Sequence, residues 1–289
     1  MATPTPDVSG LLLVDKPAGI TSHDVVAVIR RTLRTRRVGH AGTLDPFATG
    51  LLVLLVGRGT RLIPYVDGEP KVYEADICFG AETETDDLTG SVTRESPAPS
   101  DVAIAEGLAR LTGRIEQIPP AFSAKQVGGV RAYAAARRGA PLELAPVTVT
   151  VHEWRLLERS ANVLRARITC TGGTYVRALA RDLGRLSGSA AHLTALRRIA
   201  SGPFSVVSAI SLDRLQAEGA DLRPLRDAIP SIPEQRLDDA ERARVVHGNA
   251  IVARVHAAHV ALLDDEKTLI AVAERSGDVL RPTLVLRDA

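Results

Sequence analysis

The sequence predicts an α+β fold with a small all-β domain at its C-terminal end. Apolar segments with the two-residue period of strands are mixed with segments of 3.6-residue helical period, without the regular strand–helix–strand rhythm of a parallel sheet. A chain of 289 residues is long for one ordinary domain, so we expect a large domain and a smaller one. Hydrophobic residues make up 45% of the chain, which is enough for a buried core.

The first predicted elements are a strand and a capped helix. The apolar segment Leu11–Val14 predicts a short strand, which a turn at residues 16–19 follows. Thr21 and Asp24 have the spacing of a capping box, so we expect a helix to begin there. The apolar face of this helix is formed by Val25, Val26, Ile29 and Leu33. Its far end carries five arginines within residues 30–37.

Four further strands are predicted in the body of the chain. The apolar run Leu51–Val56 predicts a buried strand, and the alternation along Val72–Phe79 predicts a half-buried one. Val147–Trp154 and Val163–Cys170 have the same strand character. The acidic stretch Glu82–Asp87 predicts a solvated loop.

Two helices and an irregular segment complete the body. Residues 102–111 have a helical pattern, and another helix is predicted to begin near Thr174. The apolar stripe of this later helix is Val176, Leu179, Ala180, Leu183 and Leu186. Outside this stripe, the same helix has a row of three arginines at intervals of four residues, Arg177, Arg181 and Arg185. Residues 121–144 are rich in small and basic residues and predict a mobile basic insertion that can contact an anionic ligand.

The segment from about Pro230 differs from the body. It is rich in valine, alanine and isoleucine and is interrupted by polar turns, which predicts a small all-β domain. From Glu234 to Ala289 it has eight basic and ten acidic residues, and this net charge of −2 is unfavourable for strong phosphate binding. We therefore divide the chain into residues 1–229 and 230–289.

Several classes of protein are disfavoured by what the sequence lacks. No signal-peptide pattern precedes residue 10, and the apolar run at residues 51–56 is far shorter than the ~20 residues that span a bilayer. Cys78 and Cys170 are not part of a CxxC pair and suit a reducing compartment. There is no Walker loop, dinucleotide-binding fingerprint or HExxH motif. We expect no cofactor, no metal, no membrane association and a cytoplasmic location.

The distribution of charge is more informative than its total of +2. From Arg155 to Arg198 there are nine basic and two acidic residues, and arginine supplies nearly all the positive charge of the chain. A guanidinium binds phosphate through two parallel hydrogen bonds, so this bias suits a surface that faces RNA. A solvated arginine-rich surface would explain the composition equally well.

The glycine-rich loop Gly39–Gly50 is the segment most able to carry chemistry. It holds the carboxylate of Asp45 and the imidazole of His40, five residues apart. Because Asp before Pro is a good helix N-cap, a structural role for Asp45 is the simpler interpretation. A lone carboxylate can also act as a covalent nucleophile, if a fixed cation keeps it ionised when water is excluded. Arg177, at a predicted helix start, is the candidate for this cation.

Five motifs occur in order between residues 10 and 205. They are Lys16–Ser22 (KPAGITS), Gly39–Gly50 (GHAGTLDPFATG), Lys71–Tyr73 (KVY), Gly173–Arg177 (GTYVR) and His192–Arg198 (HLTALRR). Together they resemble the KPxGxxS, catalytic, KxY, GTYxR and HxxxLRR elements of the TruB family of tRNA pseudouridine synthases, which act on uridine 55. The probability that five motifs agree by chance in the same order is very small.

The resemblance implies a catalytic role for three of these residues. Asp45 would be the nucleophile that forms a covalent adduct with the target uridine, and Arg177 would pair with it. Tyr175 would lie against the base, close enough to take part in proton transfer at C5.

Substrate-binding roles are implied for further residues. His40 would belong to the loop that pushes the uridine out of the T-loop. Tyr73 would stack on the flipped base, although its place on an apolar strand face equally suits a core tyrosine. Leu196 would form part of the apolar wall. Lys16 and Pro17 would be structural.

The resemblance also implies the pseudouridine synthase fold, a mixed and largely antiparallel sheet flanked by helices, with a PUA-like C-terminal domain. Its partner would be tRNA, bound at the T-arm and T-loop, and residues 121–144 would close over the RNA. We expect a monomer that needs no obligatory protein partner. Two alternatives are a tRNA-binding or chaperone protein of the same fold with a vestigial loop, and a pseudouridine synthase that acts on another RNA.

Overall fold

The computed structural model describes residues 8–123, 125–140 and 142–286, with the backbone alone for Val127 and Arg131. The strands before residue 120 are β1 (Gly10–Lys16), β2 (Val38–His40), β3 (Thr49–Val56), β4 (Lys71–Phe79), β5 (Ala81–Thr83), β6 (Val92–Glu95) and β7 (Gly113–Gln117). Those that follow are β8 (Gln126–Val127), β9 (Val130–Arg131), β10 (Val147–Ser160), β11 (Val163–Cys170), β12 (Ala191–Ser201), β13 (Phe204–Ser205), β14 (Ile210–Ser211), β15 (Glu234–Arg236), β16 (Ile251–Val252), β17 (His259–Leu263), β18 (Leu269–Ser276) and β19 (Val279–Val285). The α-helices are α1 (Ser22–Thr32), α2 (Asp101–Arg110), α3 (Ala132–Ala136), α4 (Val176–Leu186), α5 (Leu212–Glu218) and α6 (Asp239–Val246). Short 3-10 helices lie at Gly57–Tyr65, Val206–Ser208 and Leu225–Ala228.

A ten-stranded sheet forms the body of the protein. Its main path is β14-β1-β3-β12-β4-β11-β10-β7, with β2 paired to β3 and β13 paired to β12. Only the β1–β14 and β3–β12 ladders of this described sheet are parallel. The predicted α+β class with a mixed, largely antiparallel sheet is confirmed.

The register of the sheet brings distant motifs into one row. Arg198 of β12 is paired with Tyr73 of β4 on one side and with Gly50 of β3 on the other. The glycine-rich loop enters β3 at this row, because β3 begins at Thr49. Three of the sequence motifs therefore meet across neighbouring strands, although they lie far apart along the chain.

Helices cover the sheet with apolar faces that the sequence predicted. Thr21 and Asp24 form the capping box of α1, whose buried side chains pack on β1 and β3 together with α5. Helix α4 packs its apolar stripe on β4, β11 and β12 beside α2. The predicted alternation along β4 is confirmed, since every second residue from Lys71 to Phe79 is buried.

The C-terminal segment forms a five-stranded sheet in the order β15-β17-β18-β19-β16. The prediction that this segment is all-β is wrong in one respect, because it also contains α6, which begins with a capping box at Asp238 and Glu241. A local cap of this kind supports a short helix whose apolar periodicity is too weak to show in the sequence. The boundary between residues 229 and 230 stays a prediction.

The predicted insertion at residues 121–144 contains the β8–β9 hairpin and α3. Its basic side chains Lys125, Arg137 and Arg138 are exposed, while Ala132, Ala135 and Ala136 are buried. The side chain of Arg131 and the residues Ala124 and Pro141 lie outside the described part. Within the described residues, no helix combines the length and the apolar character needed to cross a membrane.

Candidate active site

The loop that carries Asp45 has no helix of its own. It links β2 to β3, and residues 41–48 are turn and irregular structure. Asp45 is thus not a helix N-cap, and the structural interpretation that its Asp-Pro sequence favoured is wrong. The loop is instead folded by contacts with side chains that lie beneath it.

Lys16, Ser22 and Arg198 hold this loop from below. The fully buried ammonium of Lys16 donates hydrogen bonds to the carbonyl oxygens of Pro17, Ile20 and Pro46, at 2.8, 2.8 and 3.2 Å. Ser22 Oγ accepts from the Leu44 amide at 2.9 Å and donates to the Leu44 carbonyl at 3.2 Å. The predicted structural role of Lys16 fits these bonds.

The guanidinium of Arg198 fills the space between the loop and the sheet. It is 1% exposed, and it donates to the carbonyl oxygens of Leu51, Gly42 and Thr43 at 2.7, 3.1 and 3.4 Å. Gly50 has a φ of +100°, and a Cβ at that position would lie 2.3 Å from the Arg198 carbonyl oxygen. Only glycine fits so close an approach of β3 to β12.

Arg177 binds both carboxylate oxygens of Asp45. Its Nε lies 2.9 Å from Oδ2 and its Nη2 lies 3.1 Å from Oδ1, the two-point geometry of a strong charge-assisted pair. The Arg177 side chain is 5% exposed, whereas that of Asp45 is 33% exposed. The ion pair is therefore anchored on the arginine side and open to a ligand on the aspartate side.

The remaining donors of Arg177 are also occupied. Nη1 donates to the Thr85 carbonyl at 2.9 Å and Nη2 donates to the Phe122 carbonyl at 3.0 Å. The carboxylate of Asp87, itself buried, lies 3.5 Å from Nη1. This set of contacts fixes the guanidinium in one orientation, so that it presents the same two N–H groups to Asp45.

The acidic stretch at residues 82–87 is not a solvated loop, as the sequence predicted. Glu82, Asp86 and Asp87 are between 4% and 7% exposed, and they face the arginine row of α4. Arg181 pairs with Asp86 at 3.0 Å, and Arg185 pairs with Glu82 at 2.8 Å. The acidic stretch and the arginine row neutralise each other, which explains why Glu82, Asp86 and Asp87 can be buried together with Arg177 and Arg181, while Arg185 stays exposed.

An apolar cluster lies beside Asp45. It includes Leu44 and Ala48 of the loop, Val176 of α4, and the predicted pocket residues Tyr73 and Leu196. Tyr73 is 8% exposed and Leu196 is 7% exposed, so both are mostly covered before any ligand binds. Burial raises the pKa of the Tyr73 hydroxyl, which keeps the side chain neutral.

Tyr175 occupies the N-cap position of α4, two residues before Arg177. It is half-buried, and no side chain caps the helix there. Its backbone is held by Gln117, whose amide accepts from the Tyr175 N–H at 2.8 Å and donates to the Tyr175 carbonyl at 3.1 Å. The GTYVR motif thus places Tyr175 and Arg177 at one end of α4.

His40 lies at the other end of the loop, as the last residue of β2. Its ring contacts that of His23 edge to face at a centroid distance of 5.6 Å. Burial, with the nearby charges of His23 and Arg198, lowers the pKa of His40. Its Nδ1 is buried and has no hydrogen-bond partner among the described residues. The surroundings of the imidazole therefore favour its neutral form.

Within the described residues, no group of three or more His, Cys, Asp or Glu side chains is arranged to hold a metal ion. The groups that the structure brings together here are the carboxylate of Asp45, the guanidinium of Arg177 and the apolar cluster next to them.

Two family models match this chain. The model of the TruB family pseudouridylate synthase N-terminal domain matches residues 30–176, and that of the tRNA pseudouridylate synthase B C-terminal domain matches residues 177–232. The chain is 46% identical to tRNA pseudouridine synthase B of Thermobifida fusca, across 96% of this chain and 98% of that protein.

The chain belongs to the TruB family. A second relative, tRNA pseudouridine synthase B of Leifsonia xyli subsp. xyli, is 48% identical across 84% of this chain and 83% of its own length. Membership makes the chain an RNA pseudouridine synthase, an isomerase.

Solved structures confirm the fold of this TruB family member. A Cbf5–Nop10–Gar1 complex superposes with a TM-score of 0.72 at 24% identity, covering 96% of this chain and 85% of the matched chain. A chain of an H/ACA RNP bound to a substrate RNA containing 2'-deoxyuridine superposes with a TM-score of 0.71 at 22% identity. This match covers 99% of the present chain and 92% of the matched chain.

Three residues of the TruB site were not singled out from the sequence. Arg198, Lys71 and Gln117 are buried, and each binds partners that are far away in the sequence. Lys71 Nζ donates to Ser201 Oγ at 2.7 Å, and burial lowers its pKa to about 8. A signal was available for Lys71, since only four lysines occur in the chain and Lys71 begins a motif.

Proposed function

We propose that this protein is a tRNA pseudouridine synthase that isomerises uridine 55 in the T-loop, with Asp45 as its nucleophile. The named activity of the relatives, tRNA pseudouridine synthase B, supports tRNA as the substrate. The observation that carries the mechanism is the Asp45–Arg177 pair, in which a buried guanidinium holds a partly exposed carboxylate beside an apolar cluster.

The apolar cluster suits a base that has left its stack. Extracting a base costs a few kcal/mol, and contacts with aromatic and apolar side chains compensate for this cost. Tyr73 and Leu196 belong to the apolar cluster that includes Leu44 and Ala48 next to Asp45, and the half-buried Tyr175 at the start of α4 would add an aromatic contact. In this proposal, a uracil ring held against the cluster presents its reactive edge to the Asp45 carboxylate.

The reaction then proceeds through a covalent adduct. Attack of an Asp45 oxygen at C1′ of the ribose, or at C6 of the base, loosens the N1–C1′ bond. The N1–C1′ bond breaks, the base turns within the apolar cluster, and C5 forms the new bond to C1′. The bond to the Asp45 oxygen breaks, and its electron pair returns to the carboxylate. The proton leaves C5, with Tyr175 as the proposed acceptor, and N1 gains a proton. Electrons balance without a redox partner, so no cofactor is required.

Arg177 keeps Asp45 reactive in this sequence of steps. Two charge-assisted hydrogen bonds, from a guanidinium that is itself held by two carbonyl oxygens, hold the Asp45 carboxylate in one orientation toward the substrate.

We assign binding of the RNA backbone to the five arginines in and directly after the last turn of α1. Among the described residues, no carboxylate is within ion-pair distance of Arg30, Arg31, Arg34, Arg36 or Arg37. All five are exposed, and Arg37 immediately precedes β2, which ends at His40. We expect the protein to act in the cytoplasm as a monomer, without an obligatory protein partner.

The test is to incubate the protein with an unmodified tRNA transcript and to map pseudouridine by chemical sequencing. We expect one new pseudouridine, at position 55. A second transcript with cytidine at position 55 should stay unmodified. Modification elsewhere, or only in another RNA class, would assign the enzyme a different substrate. Tight binding of the transcript without any modification would identify a tRNA-binding protein of the same fold.

A further inference from the structure

Gln117 makes an unusual pair of contacts at the edge of the active site. It is the last residue of β7, and it is completely buried. Its side-chain amide accepts a hydrogen bond from the Tyr175 N–H at 2.8 Å and donates one to the Tyr175 carbonyl at 3.1 Å. Both polar atoms of the amide are thereby satisfied by the backbone of a single residue, 58 positions away in the sequence.

These two bonds determine where α4 begins. Tyr175 is the N-cap residue of the helix, and its carbonyl also accepts from the Leu179 amide at 3.1 Å. With no side-chain cap at this end, the Gln117 amide is what fixes the residue that enters the helix. Arg177, which binds Asp45, follows within the same helical turn.

The chain that leaves β7 is attached to α4 at two more points. Arg181 Nη2 donates to the Ile118 carbonyl at 2.9 Å, and Arg177 Nη2 donates to the Phe122 carbonyl at 3.0 Å. The six residues from Gln117 to Phe122 thus run along the first two turns of α4 and lead directly into the basic insertion. Gln117 lies where the sheet, the insertion and the catalytic helix meet.

We propose that Gln117 is a positioning residue for the isomerisation, acting through the Tyr175 backbone to set Tyr175 and Arg177 against Asp45. It does not touch the substrate. This proposal rests on the proposed function, because it assumes the catalytic roles that the proposed function gives to Tyr175 and to the Asp45–Arg177 pair. A small displacement of reacting groups is enough to lower a rate on the order of 100-fold.

The chain contains a matched control for the loss of such an amide. Gln235 of β15 is also buried, its Nε2 donates to the Val252 carbonyl at 3.0 Å, and its Oε1 accepts from the Arg254 amide at 2.7 Å. The same substitution at Gln235 removes the same two kinds of bond in the C-terminal sheet. It therefore reproduces the stability cost without changing α4.

The first experiment compares Gln117→Leu with Gln235→Leu and wild type. Single-turnover rates at saturating tRNA, tRNA dissociation constants and unfolding midpoints are measured for all three. We expect both variants to lose similar stability, and Gln117→Leu alone to lose on the order of 100-fold in rate with binding within about threefold of wild type. Equal rates for the two variants at matched stability would overturn the proposal. An inactive wild type would instead refute the proposed function.

The second experiment uses Gln117→Glu, which remains informative if the leucine variant does not fold. A protonated Glu has one donor and one acceptor and can replace both bonds of the amide, whereas an ionised Glu is an acceptor only and would repel the Tyr175 carbonyl. Because the site is completely buried, the pKa of a Glu there should lie well above its ordinary ~4.3, so that the protonated form gains population as pH falls. The rate of this variant relative to wild type should therefore rise at least tenfold as pH falls from 8.5 to 5.5. A ratio that is constant over this range would contradict the proposal.

Discussion

At the scale of single residues, the sequence predicted the central pair but not its supports. Asp45 and Arg177 were found because each stands in a recognisable motif. Arg198 and Gln117 were missed because their partners are backbone atoms of segments far away in the sequence, which no local pattern records. A buried arginine that donates to three carbonyl oxygens is indistinguishable, in sequence, from one on a solvated surface.

Lys16 gives a residue-scale prediction about pH. Burial lowers its pKa to about 8, against 10.5 for the exposed group. Between these two values the unfolded chain binds a proton that the folded chain does not, so folding becomes more favourable as pH rises. The stability of wild type relative to Lys16→Met should therefore increase above pH 8, by at most about 1.4 kcal/mol per pH unit.

Urea unfolding of both proteins at pH 7, 8, 9 and 9.5 measures this difference. Groups other than Lys16 titrate alike in the two proteins and cancel. If the difference in unfolding free energy between wild type and Lys16→Met stays constant or shrinks as the pH rises, burial does not lower the pKa of Lys16.

At the scale of elements, the sequence predicted most of the strands and helices but misjudged what two charged segments do. The pattern of residues 82–87 predicts a solvated loop, and nothing in the sequence links this stretch to the arginine row of α4. The two segments neutralise each other in the structure, through pairs such as Arg181–Asp86. Charge patterns show which residues are polar, but not which distant segment will pair with them.

This pairing changes where RNA binding is expected. The segment from Arg155 to Arg198 has the largest excess of positive charge in the sequence, yet most of its arginines have partners, including Arg159 with Asp101, Arg165 with Asp76 and Arg197 with Asp15. The arginines at residues 30–37 have no carboxylate partner in the described part of the chain. These unpaired arginines are better placed to bind phosphates.

Salt dependence of binding tests this assignment. The double variant Arg31→Gln/Arg36→Gln loses up to two phosphate contacts. Since each phosphate contact contributes roughly 0.7–0.9 to the slope of log affinity against log salt concentration, this slope should become shallower by up to about two. Arg159→Gln with Arg165→Gln removes the same charge and should change the slope by less than about 0.5, because these arginines already have partners. Equal flattening by the two double variants would contradict the assignment.

At the scale of the whole molecule, the sequence predicted strands in the C-terminal segment but not how closely this segment packs on the rest of the chain. One apolar cluster includes Leu13, Val53 and Leu55 of the main sheet together with Leu263 and Val272 of the C-terminal sheet. All of these are buried. The C-terminal sheet therefore covers a face of the main sheet, and its removal would expose that face to water. Its net negative charge is consistent with this structural role.

Cooperative unfolding is the consequence that can be measured. Leu263 faces the shared cluster, whereas its neighbour Leu262 packs within the C-terminal unit. Leu263→Ala and Leu262→Ala should each cost roughly 2–5 kcal/mol and shift one common unfolding transition. The contradicting result is a calorimetric scan that resolves into two unfolding transitions, of which Leu262→Ala shifts only the smaller one. Such a result would show that the main sheet and the C-terminal sheet unfold independently.

The most direct test of the account concerns the carboxylate of Asp45. Asp45→Asn keeps the size of the side chain but removes the nucleophile, and Asp265→Asn, in an exposed turn of the C-terminal unit, is the matched control. Pseudouridine at position 55 is measured in single turnover with saturating tRNA, and the dissociation constant is measured beside it. We predict that Asp45→Asn retains less than a thousandth of the wild-type rate while binding tRNA within a few-fold, a loss of more than ~4 kcal/mol in transition-state stabilisation, and that the control is unchanged. Turnover by Asp45→Asn above a thousandth of wild type would contradict the assignment of Asp45 as nucleophile.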